Sequence, residues 1–167
     1  MDVREADTDW ELDQVRRLFR ALVAWQRERH LGDLGPIDAY VDEGAWEREL
    51  AGLPGDYAPP EGRLLVCWDA ELAVGCVAVK RLNAESCEMK RLFVVQMARG
   101  RGAGRALAEA ALSGAREAGY SSMYLDTSVR QTEAITLYRE LGFAPVEPYR
   151  DLPEEMLGWL AFFRLAL

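Results

Sequence analysis

Residues 99 to 104 read Arg-Gly-Arg-Gly-Ala-Gly, between the apolar run Leu92 to Val95 and an alanine-rich helical pattern from about Ala103 to Ala118. Residues of these types at a strand-to-helix junction suit the binding of a polyanion. Glycines remove the Cβ atoms that would hold a ligand off the backbone, and the first N–H groups of a helix have no internal acceptor. The helix dipole and Arg99, Arg101 and Arg105 add positive potential at the same place. A P-loop is excluded, because Gly104 is followed by Arg105 and Ala106 where Lys and Ser or Thr are needed. A dinucleotide fingerprint lacks its third glycine, since position 105 is Arg and position 107 is Leu. Asp126 lies about where a ribose-binding acid would sit, which keeps that reading as a rival. A solvated Arg/Gly-rich turn is the alternative that needs no ligand.

The chain around this loop is acidic, with 28 Asp and Glu against 20 Lys and Arg and a net charge of −8. Non-specific nucleic-acid binding needs rows of cations, so that class is disfavoured. Half of the 167 residues are apolar, enough for one core, and residues 1–167 read as a single domain. No apolar run approaches a membrane span, and MDVREADTDW has no hydrophobic signal region, so no membrane partner and a cytoplasmic location are expected. Cys67, Cys76 and Cys87 fall in three separate apolar strands and read as buried hydrophobes. With one histidine, His30, and no paired ligand spacing, no metal is expected.

The elements that position the loop follow from periodicity. A short strand at Asp2 to Ala6 precedes a helix opened by a capping box, Thr8 with Glu11, and Leu12, Val15, Leu18, Phe19, Leu22 and Val23 carry that helix to about Arg29. A second helix is expected over 37–50, then a loop from Gly52 to Gly62 with three prolines. Strands near Arg63 to Trp68, Leu72 to Leu82 and Glu85 to Val95 form an antiparallel meander. After the loop and its helix come a strand at Ser122 to Asp126, a helix at Gln131 to Leu141, and strands at Phe143 to Glu147 and Trp159 to Leu167. The strand-helix-strand passage from Glu88 to Asp126 implies one parallel pair inside a mixed sheet.

Four segments, CEMKRLFV, RGRGAGRAL, GYSSMYLDT and AITLYRELGF, with a closing PY, run from Cys87 to Tyr149. In order and spacing they resemble the core of the GNAT superfamily of N-acetyltransferases, whose Q/R-x-x-G-x-G/A loop is matched by Arg99, Gly102 and Gly104. The resemblance reaches more weakly back through PGDYAPPEGRLLV and VGCVAVKRL, and the first fifty residues carry no usable motif. It implies an α+β fold: a mixed, mostly antiparallel sheet with a central splayed parallel pair, flanked by about four helices. It also implies acetyl-CoA as cosubstrate, bound by Phe93, Val94, Val95, Arg99, Gly100, Arg101, Gly102, Ala103, Gly104, Arg105, Gln131 and Tyr138.

The implied reaction is direct attack of an amine on the acetyl thioester. An alkyl ammonium of pKa ~10.4 is unprotonated in about one molecule in 2,500 at neutral pH, a cost of roughly 4.6 kcal/mol, so a general base is worth finding. Glu88, eleven positions before Arg99, matches a catalytic glutamate of some members and acts directly or through water; the alternative is pairing with Lys90 or Arg81 on a sheet face. For that work near neutral pH, burial has to raise its pKa. Glu71 and Glu85 fall at turns. Tyr138 matches the tyrosine that the family places beside the CoA sulfur, where a phenol can donate to the leaving thiolate; alternatively it is a core residue with Ala134, Leu137 and Leu141. The oxyanion donor is expected at an irregularity of the preceding strand, at the N–H of Val94 or Val95. Two positions depart from the pattern: Gln96 stands where a proline is common, and Gln131 where many relatives carry asparagine.

The acceptor pocket is expected between the N-terminal helices and the segments around Tyr57 and Tyr149. Glu147, Asp151, Glu154 and Glu155 cluster between the last two strands, where they would attract a cationic amine or simply form a solvated acidic loop, and Arg150 or Arg91 could equally hold an amino acid's carboxylate. A primary amine of a small molecule or amino-acid derivative is the expected partner, handled by a monomer or homodimer. A protein or peptide amine, a non-catalytic acyl-CoA-binding regulatory module and a nucleotide-dependent oxidoreductase are the alternatives. Arg164 interrupts a strand, WLAFFRLAL, that is apolar on both faces.

Overall fold

The computed structural model describes residues 1–32, 35 and 43–167. A seven-stranded sheet runs in the order β1-β2-β3-β4-β5-β7-β6, with β1 Asp2–Glu5, β2 Arg63–Asp69, β3 Leu72–Arg81, β4 Ser86–Val94, β5 Ser122–Ser128, β6 Ala144–Pro145 and β7 Leu160–Ala166. All neighbours are antiparallel except β4 and β5. The helices among the described residues are α1 Asp9–Arg29, α2 Glu43–Ala51, α3 Ala103–Glu117, α4 Thr132–Glu140 and the short α5 Glu154–Leu157. Of the second helix expected over 37–50, the part from 37 to 42 lies outside the described residues.

Two apolar layers explain why the central strands read as nearly continuous hydrophobic runs. Leu64, Val66 and Trp68 pack with Leu12, Val15, Phe19, Leu22, Trp46 and Leu50 on the α1–α2 face. Leu65, Cys67, Val77, Val79 and Met123 pack with Leu107, Ala108 and Ala111 of α3 on the other. Gly75 is required where α3 crosses β3: a Cβ there would stand 2.7 Å from the Phe93 carbonyl oxygen and 2.9 Å from Leu107. The capping box forms as expected, with Thr8 Oγ1 accepting from the Glu11 N–H at 3.3 Å and the Glu11 carboxylate accepting from the Thr8 N–H at 3.2 Å.

The expected elements that differ do so for local reasons. The strand expected over Phe143 to Glu147 shrinks to the edge pair Ala144–Pro145, since Pro145 and Pro148 offer no N–H to a ladder. Its neighbour β7 is therefore central, which accounts for apolar residues on both of its faces, and Arg164 lies over the Tyr124 ring at 5.8 Å. The three cysteines are free and buried, and burial pushes the Cys87 thiol up to about 12. No helix among the described residues is long and apolar enough to cross a membrane.

Candidate active site

Strands β4 and β5 pair only through Ser86, Cys87 and Glu88, opposite Ser122, Met123 and Tyr124. Beyond Glu88 they part, and the gap is the site. A bulge re-aims β4 at this point. Ala78 of β3 faces Lys90 and Cys76 faces Phe93, so Arg91 and Leu92 together oppose Val77. Arg91 takes a positive φ of 58°. Its guanidinium is fixed to Glu49 by bonds of 3.1 and 2.7 Å and lies 4.7 Å above the Trp46 ring. The irregularity was expected nearer Val94 and Val95; those residues are β-branched and poorly suited to positive φ. The extra residue flips the alternation of the strand, so Phe93 joins the layer packed against α1 although Cys87 and Met89 belong to the α3 layer.

At the far end of β4 the Val95 N–H donates to Val74 at 2.9 Å. By alternation the Val94 N–H and C=O turn to the opposite side, into the gap, and there the Val94 carbonyl accepts from Arg99 Nε at 2.9 Å. A cavity of about 390 Å³ lies in this gap, lined by Phe93, Val94, Arg99, Gly100, Gly102 to Arg105, Gln131, Leu137, Tyr138 and, from α1, Trp25. Gly102 precedes α3 with φ 86° and without a side-chain cap. The first turn closes from the Ala106 N–H to the Gly102 carbonyl at 3.0 Å, so the N–H groups of Ala103, Gly104 and Arg105 have no intrahelical acceptor. Packing does not demand Gly104: an added Cβ would meet nothing closer than 3.7 Å. Its bare Cα lies on the cavity wall. Those donors, the glycines and Arg99, held 4.5 Å from the Trp25 ring, fit a diphosphate, and the apolar walls between Phe93 and Leu137 fit an acyl-carrying arm.

A second, narrow cavity of about 60 Å³ continues from the first, sharing Leu92, Gln131 and Tyr138 and ending at Glu88 and Asp126. Tyr138 stands at the junction, its ring edge-on to Phe143 at 5.8 Å, and its hydroxyl has no hydrogen-bond partner among the described residues. Burial, and secondarily the charge of Asp126, push its pKa upward, which keeps the proton on the phenol. Gln131, which lines both cavities, accepts from Thr127 Oγ1 through its side-chain oxygen, a bond that does not use its amide nitrogen. Glu88 is 1% exposed. It accepts from the Tyr149 hydroxyl at 2.7 Å, with Lys80 and Lys90 Nζ at 3.7 and 3.6 Å and Arg150 Nε at 3.9 Å.

A family model described as the acetyltransferase (GNAT) family matches residues 19–143. The chain belongs to that family. The enzyme class that goes with this membership is acetyl-CoA-dependent N-acetyltransferase. An uncharacterised N-acetyltransferase of Schizosaccharomyces pombe is 41% identical over 107 residues, 63% of this chain and 66% of that protein, just under two thirds of its length. An IAA acetyltransferase of Azospirillum brasilense is 38% identical over 131 residues, 75% of this chain and 79% of that one. A GNAT family acetyltransferase from Elizabethkingia anophelis, solved with acetyl-CoA bound, shares the fold at a TM-score of 0.57 and 17% identity, over 75% of this chain and 84% of that one.

Ten of the residues expected to bind the cofactor of this GNAT protein line the larger cavity: Phe93, Val94, Arg99, Gly100, Gly102, Ala103, Gly104, Arg105, Gln131 and Tyr138. Val95 and Arg101 do not. The first spends its N–H on Val74, and the second reaches outward to Asp69 at 2.7 Å. Arg105 is engaged by Glu140 and, at 3.7 Å, by Glu109. Glu88 does pair with Lys90, as the alternative reading had it, but Lys80 and Arg150 replace Arg81, which is bound to Glu61. Asp126 is held by Arg150 and, at 3.4 Å, by Tyr149. His30 is buried against Trp159 at 4.8 Å. Glu147, Asp151 and Glu154 are exposed and line none of the cavities described; the Glu155 side chain lies outside the described residues.

Sequence reasoning missed Trp25, Lys80 and the roles of Thr127 and Asp126. Trp25 had a usable signal, an aromatic on the α1 stripe one turn after Leu22. Lys80 had none, because its partner Glu88 meets it only through the pairing of β3 with β4.

Proposed function

We propose that this GNAT protein transfers an acetyl group from acetyl-CoA to a primary amine of a small molecule or amino-acid derivative, by direct attack on the thioester. The observation that carries the reading is a pair of adjoining cavities, one at the glycine loop and one reaching Glu88, with Leu92, Gln131 and Tyr138 lining both. Acetyl-CoA, when bound, supplies the acyl group in activated form as a thioester. The backbone donors of Ala103, Gly104 and Arg105 hold its diphosphate, with Arg99 adding charge. The Val94 N–H is the donor for an acyl oxygen. Tyr138 stores a proton where the thiolate leaves, and its raised pKa keeps that proton in place until it is needed. The narrow cavity between Tyr138 and Glu88 is polar and large enough for water, and through that water Glu88 takes the proton released by the amine. The geometry supports a small acceptor because the passage beyond Tyr138 is narrow and walled by buried side chains, Glu88 and Gln131 among them.

The test is release of free thiol from acetyl-CoA over a panel of amino acids, aliphatic amines and peptides, with calorimetry of acetyl-CoA, CoA and NAD binding alongside. Tyr138→Phe and Glu88→Gln should each lower kcat by about 10²-fold while leaving acetyl-CoA affinity within about twofold. Turnover that survives both changes rejects these roles. Tight acetyl-CoA binding without thiol release from any amine favours the regulatory module, and a preference for NAD rejects the assignment.

A further inference from the structure

The larger cavity has walls from both faces of the sheet. Trp25 comes from α1, which packs on the face of Leu64 and Val66, and Glu133, Ala134 and Tyr138 come from α4, whose Tyr138 packs with α3 on the other face. Between these walls runs the gap where β4 and β5 part. A chain of side-chain contacts crosses it. On the β4 side the Val94 carbonyl accepts from Arg99 Nε at 2.9 Å, and the Arg99 guanidinium lies 4.5 Å from the Trp25 ring and 5.8 Å from Phe93. A second guanidinium, that of Arg29, lies 5.2 Å from the same Trp25 ring. Arg29 then reaches the β5 side: Nε and Nη2 donate to the Arg130 carbonyl at 3.2 and 3.1 Å, and Nη2 donates to Glu133 Oε2 at 2.7 Å.

Helix spacing and one turn put these groups together. Leu22, Trp25 and Arg29 fall on a single stripe of α1, so the face that lines the narrow cavity with Leu22 and the larger one with Trp25 carries Arg29 one turn further along. After β5 the Gln131 N–H donates to the Ser128 carbonyl at 2.9 Å and the Arg130 N–H to Ser128 Oγ at 3.2 Å. This turn fixes the Arg130 carbonyl that Arg29 grips. Glu133 is 71% exposed, and a pair with it alone contributes little. The Arg29 side chain is only 26% exposed, and its charged bonds to a fixed carbonyl and its place beside an indole make the bridge firmer than a surface ion pair.

Acetyl-CoA with its diphosphate on the first turn of α3 and its thioester beside Tyr138 extends between the two walls that this chain joins. We propose that Arg29 is a positioning residue that clasps those walls together: the cofactor enters and leaves when the guanidinium releases the Arg130 carbonyl and Glu133, and the fraction of time spent released sets both rates. This rests on the reading of the larger cavity as the seat of acetyl-CoA and adds to it the control of cofactor passage. A clasp released about one tenth of the time slows passage about tenfold in each direction, while the affinity, which is the ratio of the two rates, hardly changes. Plain electrostatics acts differently. Loss of the Arg29 charge slows the arrival of a polyanion and speeds its departure, and loss of the Glu133 charge does the reverse.

Stopped-flow mixing of the full chain with CoA, followed by tryptophan fluorescence, gives the association and dissociation rate constants, and calorimetry gives Kd. Arg29→Gln should raise both constants about tenfold. Glu133→Gln should raise both about threefold, since the Arg130 carbonyl still holds Arg29, and Kd should stay within about threefold of wild type in each variant. Arg29→Lys, which keeps a charge for Glu133 but loses the two-nitrogen grip on the carbonyl, should fall between wild type and Arg29→Gln. Constants within about twofold of wild type in both Gln variants, or opposite shifts of the two constants within one variant, overturn the proposal. The exposed Glu133 supplies a folded variant for the test even if Arg29→Gln does not fold. A wild-type protein that binds no CoA removes the underlying reading together with the clasp. Normal CoA binding with unchanged constants in the variants removes the clasp alone, and accelerated constants with no thiol release from any amine keep the clasp and remove the transferase reading.

Discussion

The two ends of the site are built from different materials. At the glycine loop the working groups are backbone N–H donors from consecutive residues, presented by the first turn of α3 and by the parting of β4 from β5. At the Glu88 end they are side chains from α2, β3, β4, β5 and the segment before α5, brought together by register and by one bulge. The first end needs little beyond a helix start and glycines in the right conformations. The second is a balance of charges in a buried setting, where each group depends on the others. Changes at the two ends should therefore differ in kind: cofactor affinity at one, folding stability at the other.

The largest effect should come from Glu88→Ala. That change leaves Lys80 beside an uncharged gap, takes one partner from Lys90 and Arg150 and leaves the Tyr149 hydroxyl only its 3.4 Å contact with Asp126, so it should cost about 3 kcal/mol of stability in urea unfolding, the lower part of the range for breaking a buried pair because Lys80 and Arg150 keep some solvent contact. Glu88→Gln, which keeps the shape and one acceptor for Tyr149, should cost about half as much. A loss under about 1 kcal/mol for Glu88→Ala would mean that the charges at this end do not depend on one another.

The same contrast explains what could be read from the sequence. The strand order around β4, the parallel pair, the capped helix α1 and nearly the whole glycine loop are contiguous patterns: alternation, a capping box, a run of Gly and Arg. The loop's exceptions are instructive. Arg101 and Arg105 looked alike from charge alone, yet Arg101 leaves the cavity for Asp69, because side-chain direction after a positive-φ glycine is set by the turn and not by composition. The acceptor end stayed open between an acidic cluster and Arg150 or Arg91 for a related reason. Glu147, Asp151 and Glu154 form a sequence cluster that stays in solvent, whereas Lys80, Glu88 and Lys90 become neighbours only through pairing of Lys80 with Glu88. The bulge at Arg91 was invisible beforehand, since the Glu49 and Trp46 contacts that hold its backbone come from a helix forty residues away.

A middle-sized effect should appear at the other end with Gly102→Val. Its φ of 86° costs a β-branched residue about 1–2 kcal/mol, and the loop should relieve that by shifting the donors of Ala103 and Gly104. Acetyl-CoA affinity measured by calorimetry should fall about tenfold, with the urea midpoint nearly unchanged. Loss of stability without loss of affinity would show that the loop is part of the scaffold and not a ligand cradle.

The smallest effect concerns pH and again divides the two ends. Burial pushes the Glu49 carboxyl up, but the hydrogen bonds and charge of Arg91, the Tyr57 hydroxyl and the charge of Lys90 together hold it below its ordinary value of 4.5. A carboxylate whose folded pKa is depressed contributes stability above its unfolded pKa and loses it as pH falls through the folded value. Urea midpoints should thus drop as pH is lowered from neutrality past 4.5, and Glu49→Gln, less stable at neutral pH, should converge on wild type in acid. The pairs at the loop end, Arg101 with Asp69 and Arg105 with Glu140, are half exposed and worth about 0–1 kcal/mol, so Arg101→Gln should run parallel to wild type across the same range. If Arg101→Gln converges in acid and Glu49→Gln does not, the electrostatic weight sits at the glycine loop, and the contrast between the two ends is reversed.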